Sequence, residues 1–263
     1  MRSGLRAMGI AVLTAVAPLA QAKVEPIQID VHYIERDVPP PPVLSNLDPV
    51  PSDLGLQGAA LGVADSNTTG KFLGQTYVLS ELTVAEGQNL AAAIAPVLSA
   101  KDGPALIVAN LPAADLSALA AMPEANGALI FNAGAPDNAL RREACHPNVL
   151  HTLPSRKMLS DALAQFLVKK QWDELFLIEG NKPGDKAYAA AIRASAKKFG
   201  LEIVADKPWP FDADMRRNAA QEVPLFTQVD DHDVLILTDE IQDYGHDLKP
   251  ELFRGGPDRS GVG

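Results

Sequence analysis

The sequence predicts an α/β protein built from two Rossmann-like lobes, each on a parallel sheet. Three observations predict it. Short, continuously apolar segments such as Leu106-Ile107-Val108-Ala109 and Val234-Leu235-Ile236-Leu237 alternate with longer helical ones, the pattern of strands buried on both faces by crossover helices. The alternation falls into two blocks that meet near residues 150–155. The length, 263 residues at 47% apolar and 21% charged, allows one large domain or two lobes.

Residues 27–33, IQIDVHY, alternate apolar and polar and read as the first strand. Val38-Pro39-Pro40-Pro41-Pro42 must be extended, making a stiff loop up to Asp48. Asp53 reads as the N-cap of a helix to about residue 64, with Leu54, Leu56, Ala60 and Leu61 inward and Gly70 and Gly74 punctuating its exit. A strand over 76–83 and an Ala-rich helix over 87–100, kinked at Pro96, follow. Then come a strand over 105–109, a helix over 115–122, and strands over 128–131 and 148–153.

The second block opens with a helix from Ser155 or Ser160 to Lys170 and a strand over 174–178, ELFLI. A helix over 184–199 is closed by Gly200. A strand over 201–205, a helix over 214–229 that Pro224 must kink or break, and a strand over 233–237 complete it. The first lobe is thus expected over residues 23–152, the second over 153–250, and an irregular tail over 251–263.

Arg2 and Arg6 precede an apolar run over 7–20, followed by Ala20-Gln21-Ala22 before Lys23. This is the layout of a cleaved secretory signal over residues 1–22. Its apolar run is shorter than the ~20 residues of a membrane span, and no Cys follows the site, which excludes a lipoprotein. Cleavage removes two positive charges and no negative ones from a net −10, leaving −12. That balance argues against nucleic acid, which needs a basic footprint. The single Cys145 excludes a disulfide framework and a Cys-rich zinc site, and reads as a buried structural thiol.

Most catalytic signatures are missing. No Gly-x-Gly-x-x-Gly follows a strand, and no Gly-x-Ser-x-Gly elbow occurs. The Gly180–Gly184 loop has the wrong spacing for a phosphate loop. His32, His146, His151, His232 and His246 form no zinc motif, so His146 and His151 read as capping or surface residues. Asp212 with Asp214, Asp230-Asp231 and Asp239-Glu240 lack the calcium-loop pattern and read as solvated surface. No catalytic or metal-binding residue is assigned. What remains is the loops at strand C-termini, where open α/β sheets bind ligands. Helix N-termini point there too, favouring anionic groups. Two such rims facing one another form a cleft that closes on a solute.

Three segments carry a resemblance. The first is Asp53-Leu-Gly-Leu-Gln-Gly58-Ala59 continuing through Gly62 to Phe72. The second is Asn132-Ala133-Gly134-Ala135-Pro136-Asp137 with Leu140-Arg141, Cys145 and His151-Thr152-Leu153-Pro154-Ser155-Arg156. The third is Arg216-Arg217 with Glu222-Val223-Pro224-Leu225-Phe226-Thr227. The chain resembles, over residues 1 to about 250, the ABC-transporter substrate-binding proteins associated with PQQ-dependent alcohol dehydrogenase systems. These are similar to branched-chain amino-acid binding proteins of the type I periplasmic fold. The resemblance implies a monomeric periplasmic receptor without a catalytic cofactor, which holds a small solute and presents it to an ABC permease.

The ligand implied by the resemblance is pyrroloquinoline quinone (PQQ). Lanthanide or calcium ions and small alcohol-derived or aromatic solutes are the alternatives, and a periplasmic redox accessory protein using Cys145 or a metal is the competing class. A flat tricarboxylate wants guanidinium or ammonium forks and an aromatic face. Arg36, Arg141, Arg156 and Lys182 are the candidate cations, and Trp209 is the stacking face. Asn110, Asn132 and Glu240 are the polar groups expected at the rim. Trp172 reads as packing and Arg216-Arg217 as structural. Members of the family are considerably longer, and the Gly-rich end from Phe253 is unlike a closing helix. The chain is therefore expected to be C-terminally truncated, its natural reading frame lost near Glu251.

Overall fold

Two parallel sheets organise the chain. The computed structural model describes residues 27–38, 51, 53–99, 103–210, 219–229, 231–241 and 244–245. The signal segment, the Pro39–Pro42 run, Arg216-Arg217, His246 and the tail from residue 251 lie outside the described residues.

The first sheet has the order β2-β1-β3-β4-β5, all parallel. Its strands are β1 (Ile27–Arg36), β2 (Gln75–Val84), β3 (Leu106–Asn110), β4 (Leu129–Asn132) and β5 (Val149–His151). The helices α1 (Leu54–Leu73), α2 (Leu90–Leu98) and α3 (Ala113–Ala120) make the crossovers, with 3-10 turns at Pro123–Ala125 and Asn138–Arg141. The second sheet has the order β7-β6-β8, also parallel. It comprises β6 (Glu174–Glu179), β7 (Glu202–Pro208) and β8 (Val234–Thr238), with α4 (Arg156–Lys170), α5 (Pro183–Phe199) and α6 (Ala219–Phe226).

The first sheet packs one face fully. Ile34, Ile107, Ala109 and Ile130 meet Ile94 of α2 and Leu116 and Leu119 of α3 in a closed core. The other face is covered by α1 mainly at its β2 end. Register places Tyr33, Val108, Phe131 and Leu150 in one row on that face. Toward β5 the row is bare: Leu150 is 46% exposed, and Leu129 beside it 40%. In the second sheet both faces are covered. Leu175 and Leu177 pack on α4 and α5 through Ala164, Leu167, Ile192 and Ala196. Phe176 and Ile178 pack on Trp209, Val223, Phe226 and Tyr244.

Among the described residues the strands and α-helices fall where they are expected, and several boundaries move for local reasons. α1 runs on to Leu73 rather than ending near residue 64. Gly70 is its one buried residue, pressed so close to the Gln75 carbonyl that a Cβ could not fit. Gly74, at φ 68°, is the left-handed C-cap. Asn67 of α1 brackets the free edge of β2: its amide donates to Tyr77 O, and its Oδ1 accepts from Tyr77 N, both at 2.8 Å. Asp53 does not cap α1 with its side chain; it accepts from Gln57 Nε2 at 2.8 Å. α2 starts after Asn89, whose Oδ1 accepts from Ala92 N, and carries Pro96 in its interior. Pro224 likewise lies inside α6. β1 extends to Arg36 because Glu35 and Arg36 continue the pairing with Thr83 and Val84. Cys145 corrects the expectation of a buried thiol: it is exposed.

The one-sided core sets a contrast. Ile107→Ala removes a fully buried side chain and is expected to cost about 3 kcal/mol. Leu150→Ala, on the bare face, should cost about 1 kcal/mol or less. Urea denaturation of the two variants measures both; equal losses would mean that the bare face is covered.

Candidate functional site

A parallel sheet brings every strand's C-terminal end to one edge. The loop after β4 in the first sheet and the loop after β8 in the second meet at the N-terminus of α4. Ser155 caps that helix by accepting from Met158 N at 3.2 Å, which selects it over Ser160 as the start. Ser160 Oγ is instead buried without a partner. The first helical residue, Arg156, is only 7% exposed. Its guanidinium forks onto Glu240, Nε to Oε1 at 2.5 Å and Nη2 to Oε2 at 2.8 Å. Nη1 reaches Asp137 Oδ1 at 3.2 Å. The two carboxylates and the hydrogen bonds hold the guanidinium pKa above its ordinary value, against the opposing effect of burial.

Glu240 is itself seated. Its backbone N–H donates to Asp185 Oδ1 at 2.9 Å, and the other oxygen of Asp185 accepts from Lys182 N at 3.2 Å. Asp185 is nearly fully buried, and burial pushes its pKa up despite those two hydrogen bonds. A Cβ at Gly184 would press on Glu240 Oε2, so a larger residue there would push that carboxylate from its seat.

On the first-sheet side, Asn132 is fully buried and shapes the loop after β4. Its Oδ1 accepts from Gly134 N and Ala135 N, and its Nδ2 donates to Ala135 O at 2.8 Å. The same Nδ2 lies 3.0 Å from His151 Nδ1, which therefore accepts, leaving Nε2–H to donate to Leu140 O at 3.2 Å. Burial, reinforced by the nearby Arg141 cation, lowers the His151 pKa.

A groove of about 310 Å³ opens between α1 and the first sheet, lined by Gly55, Gly58 and Ala59 on one side and Tyr33, Val108, Asn110 and Ala133 on the other. Asn110 Nδ2 donates to Tyr33 Oη at 3.0 Å, and Tyr33 Oη donates to Glu35 at 2.9 Å. Burial, together with the Glu35 carboxylate, pushes the Tyr33 pKa up to about 12, so the phenol is neutral.

The residues singled out in the sequence separate into three groups. Arg156 and Glu240 are brought together, on each other. Asn110 lines the groove, Asn132 builds the loop beside α4, and Lys182 occupies the N-cap position of α5, its backbone N–H donating to Asp185. The other cations are engaged elsewhere. Arg36 pairs with Asp115 at 2.7 Å and donates to Ala85 O and Gln88 O. Arg141 donates to Leu153 O, with Nη1 buried and unpartnered. Trp209 is 8% exposed, not an open stacking face: Tyr244 stacks on it at 4.9 Å and Phe226 meets it edge-on. Asp137, Asp185 and Tyr33 were missed. For Asp185 a signal existed in Gly180 and Gly184, the two glycines around a helix start. For Asp137 none did, since its partner Arg156 lies on another element, and Tyr33, though it bonds Glu35 two residues on, gains its Asn110 contact and its place in the groove only from the fold. Among the described residues, no group of three or more His, Cys, Asp or Glu side chains could hold a metal ion. None of their helices is long and apolar enough to cross a membrane.

A model of the periplasmic binding protein family matches residues 51–223. A search of curated proteins finds no match. Solved structures similar to the chain include an ABC transporter substrate-binding protein from Desulfitobacterium hafniense in complex with Leu. It is 16% identical with TM-score 0.58, over 88% of this chain and 64% of its own. The leucine-, isoleucine-, valine-, threonine- and alanine-binding protein from Brucella ovis, in a closed conformation, is 19% identical with TM-score 0.56, over 81% and 54%. A periplasmic binding protein from Burkholderia mallei is 17% identical with TM-score 0.52, over 86% and 56%. At such identities the likeness is one of fold. The chain spans less than two thirds of the length of each of these structures.

Two outcomes are expected. Glu240→Ala strands a buried cation and should cost about 3 kcal/mol, whereas Asp137→Asn should cost about 1 kcal/mol or less. Denaturant midpoints of the two variants test the ranking. The lowered His151 pKa means that the unfolded chain takes up a proton the native chain resists. Stability should therefore fall as pH drops below the ordinary histidine value of about 6.5, until the native pKa is also passed. Melting between about pH 8 and 5 should show a smaller loss for His151→Gln than for the parent; an equal loss would remove His151 as the source.

Proposed function

We propose, for a chain that belongs to the periplasmic binding protein family, that it is a solute-binding receptor of an ABC importer. On this reading it works in the periplasm, binds rather than catalyses, and presents a small solute to a membrane permease. The observation that carries it is the fold itself: two parallel sheets, each of which sends a C-terminal loop, after β4 and after β8, to the first turn of α4. Open α/β sheets bind ligands at that edge.

An amino-acid-type solute is the reading best supported. The Desulfitobacterium hafniense structure holds Leu, and the Brucella ovis protein is named for binding five amino acids. The groove beside Tyr33 and Asn110 has the size of a small-molecule pocket and combines an apolar lining with two polar groups at one end. PQQ rests on the resemblance alone. The groups proposed to meet it are engaged within the chain: Arg36 with Asp115, Arg141 with Leu153, Arg156 with Glu240, and Trp209 within the core. A tricarboxylate would have to displace Glu240 to reach the Arg156 fork.

Thermal shift with leucine, valine, alanine, PQQ, calcium and a lanthanide ion separates the readings, since a ligand of the native state alone raises its stability. An aliphatic amino acid at about 100 Kd should add about 2.7 kcal/mol, and Asn110→Ala should weaken its binding. A shift with PQQ and none with amino acids would overturn the assignment of the solute; a shift with none of them would overturn the receptor reading for this chain.

A further inference from the structure

We propose that Arg156 is a clasp at the joint between the two sheets, with Glu240 as its fixed partner and Asp137 as its releasable one. Among the described residues the chain passes from the first sheet to the second once, between β5 and α4. α4 belongs with the second sheet: Leu163, Ala164 and Leu167 pack there. Asp161 of α4 accepts from Ser195 Oγ at 2.6 Å and from Lys198 Nζ at 2.8 Å, both on α5. Glu240 is held to the same body by its N–H bond to Asp185 and by its seat against Gly184.

Three ties reach α4 from the first sheet's loop. Arg156 N donates to Pro136 O at 2.9 Å, Lys157 N donates to Asn138 Oδ1 at 2.9 Å, and Arg156 Nη1 pairs with Asp137. The two arms of the guanidinium are unequal. The Glu240 arm is a short two-bond fork, whereas the Asp137 arm is a single 3.2 Å contact to a carboxylate 38% exposed. Solvent and salt weaken the second far more than the first. When the loop parts from α4, Arg156 keeps Glu240, so no buried charge is orphaned. That would be the expensive event in breaking a buried pair. The joint can therefore open at the Asp137 arm while the second sheet stays intact.

Hydrogen exchange resolved by NMR on the full chain reads this directly, because the Arg156 and Lys157 amides are bonded across the joint. Asp137→Ala should speed exchange at those two amides roughly threefold to fivefold, what one exposed ion pair is worth. The Lys186 amide, bonded within α5 to Lys182 O, should be unchanged. About 1 M sodium chloride, where the screening length is ~3 Å, should reproduce the effect in the parent and add little in the variant. Asp137→Glu should restore slow exchange. Unchanged exchange at the two amides, an equal rise throughout α5, or equal salt effects on parent and variant would overturn the clasp. No solute is needed, so its failure would leave the receptor reading standing.

Discussion

The strands of each sheet run parallel, and that constraint governs the rest of the molecule. A parallel strand cannot be joined to its neighbour by a tight turn, so each connection must cross the sheet, usually as a helix. All strand ends then point one way, and all outgoing loops gather at one edge. In this chain two such edges share the first turn of α4. Ser155, Arg156 and Lys157 there receive the loop after β4 and the loop after β8. The polar groups of both rims are spent largely on one another: Asn132 on its own loop, Asp185 on Lys182 and Glu240, Glu240 on Arg156.

Most of the architecture was legible because it is written in local pattern. The apolar runs of β3, β6 and β8 and the glycines after α1 and α5 are signals carried by a few adjacent residues. Boundaries moved where a distant partner intervened. Gly70 looked like a helix exit because nothing nearby shows that β2 presses on it. β1 ran longer because β2 continues beside it.

The site was legible only in part, for the same reason. Strand-end position brought forward Arg156 and Glu240 as rim residues, yet their pairing spans 84 residues of sequence and leaves no local trace. A cation at a rim and an aromatic in Pro208-Trp209-Pro210 look available until the fold supplies their neighbours. Arg36 finds Asp115, and Trp209 finds Tyr244. Sequence position locates a side chain at an edge; only packing tells whether its hydrogen bonds are already used.

β2 closes one side of the first sheet, and its outer backbone would ordinarily stand open along its length. The carboxamide of Asn67 fills the Tyr77 position of that edge as a neighbouring strand would, one donor for the carbonyl and one acceptor for the N–H. An incoming strand from another chain would find that rung already taken. Such open rungs are where sheets grow into fibrils. A single side chain on a crossover helix thus blocks one rung of that edge to strand addition, and does so without a charge or a proline.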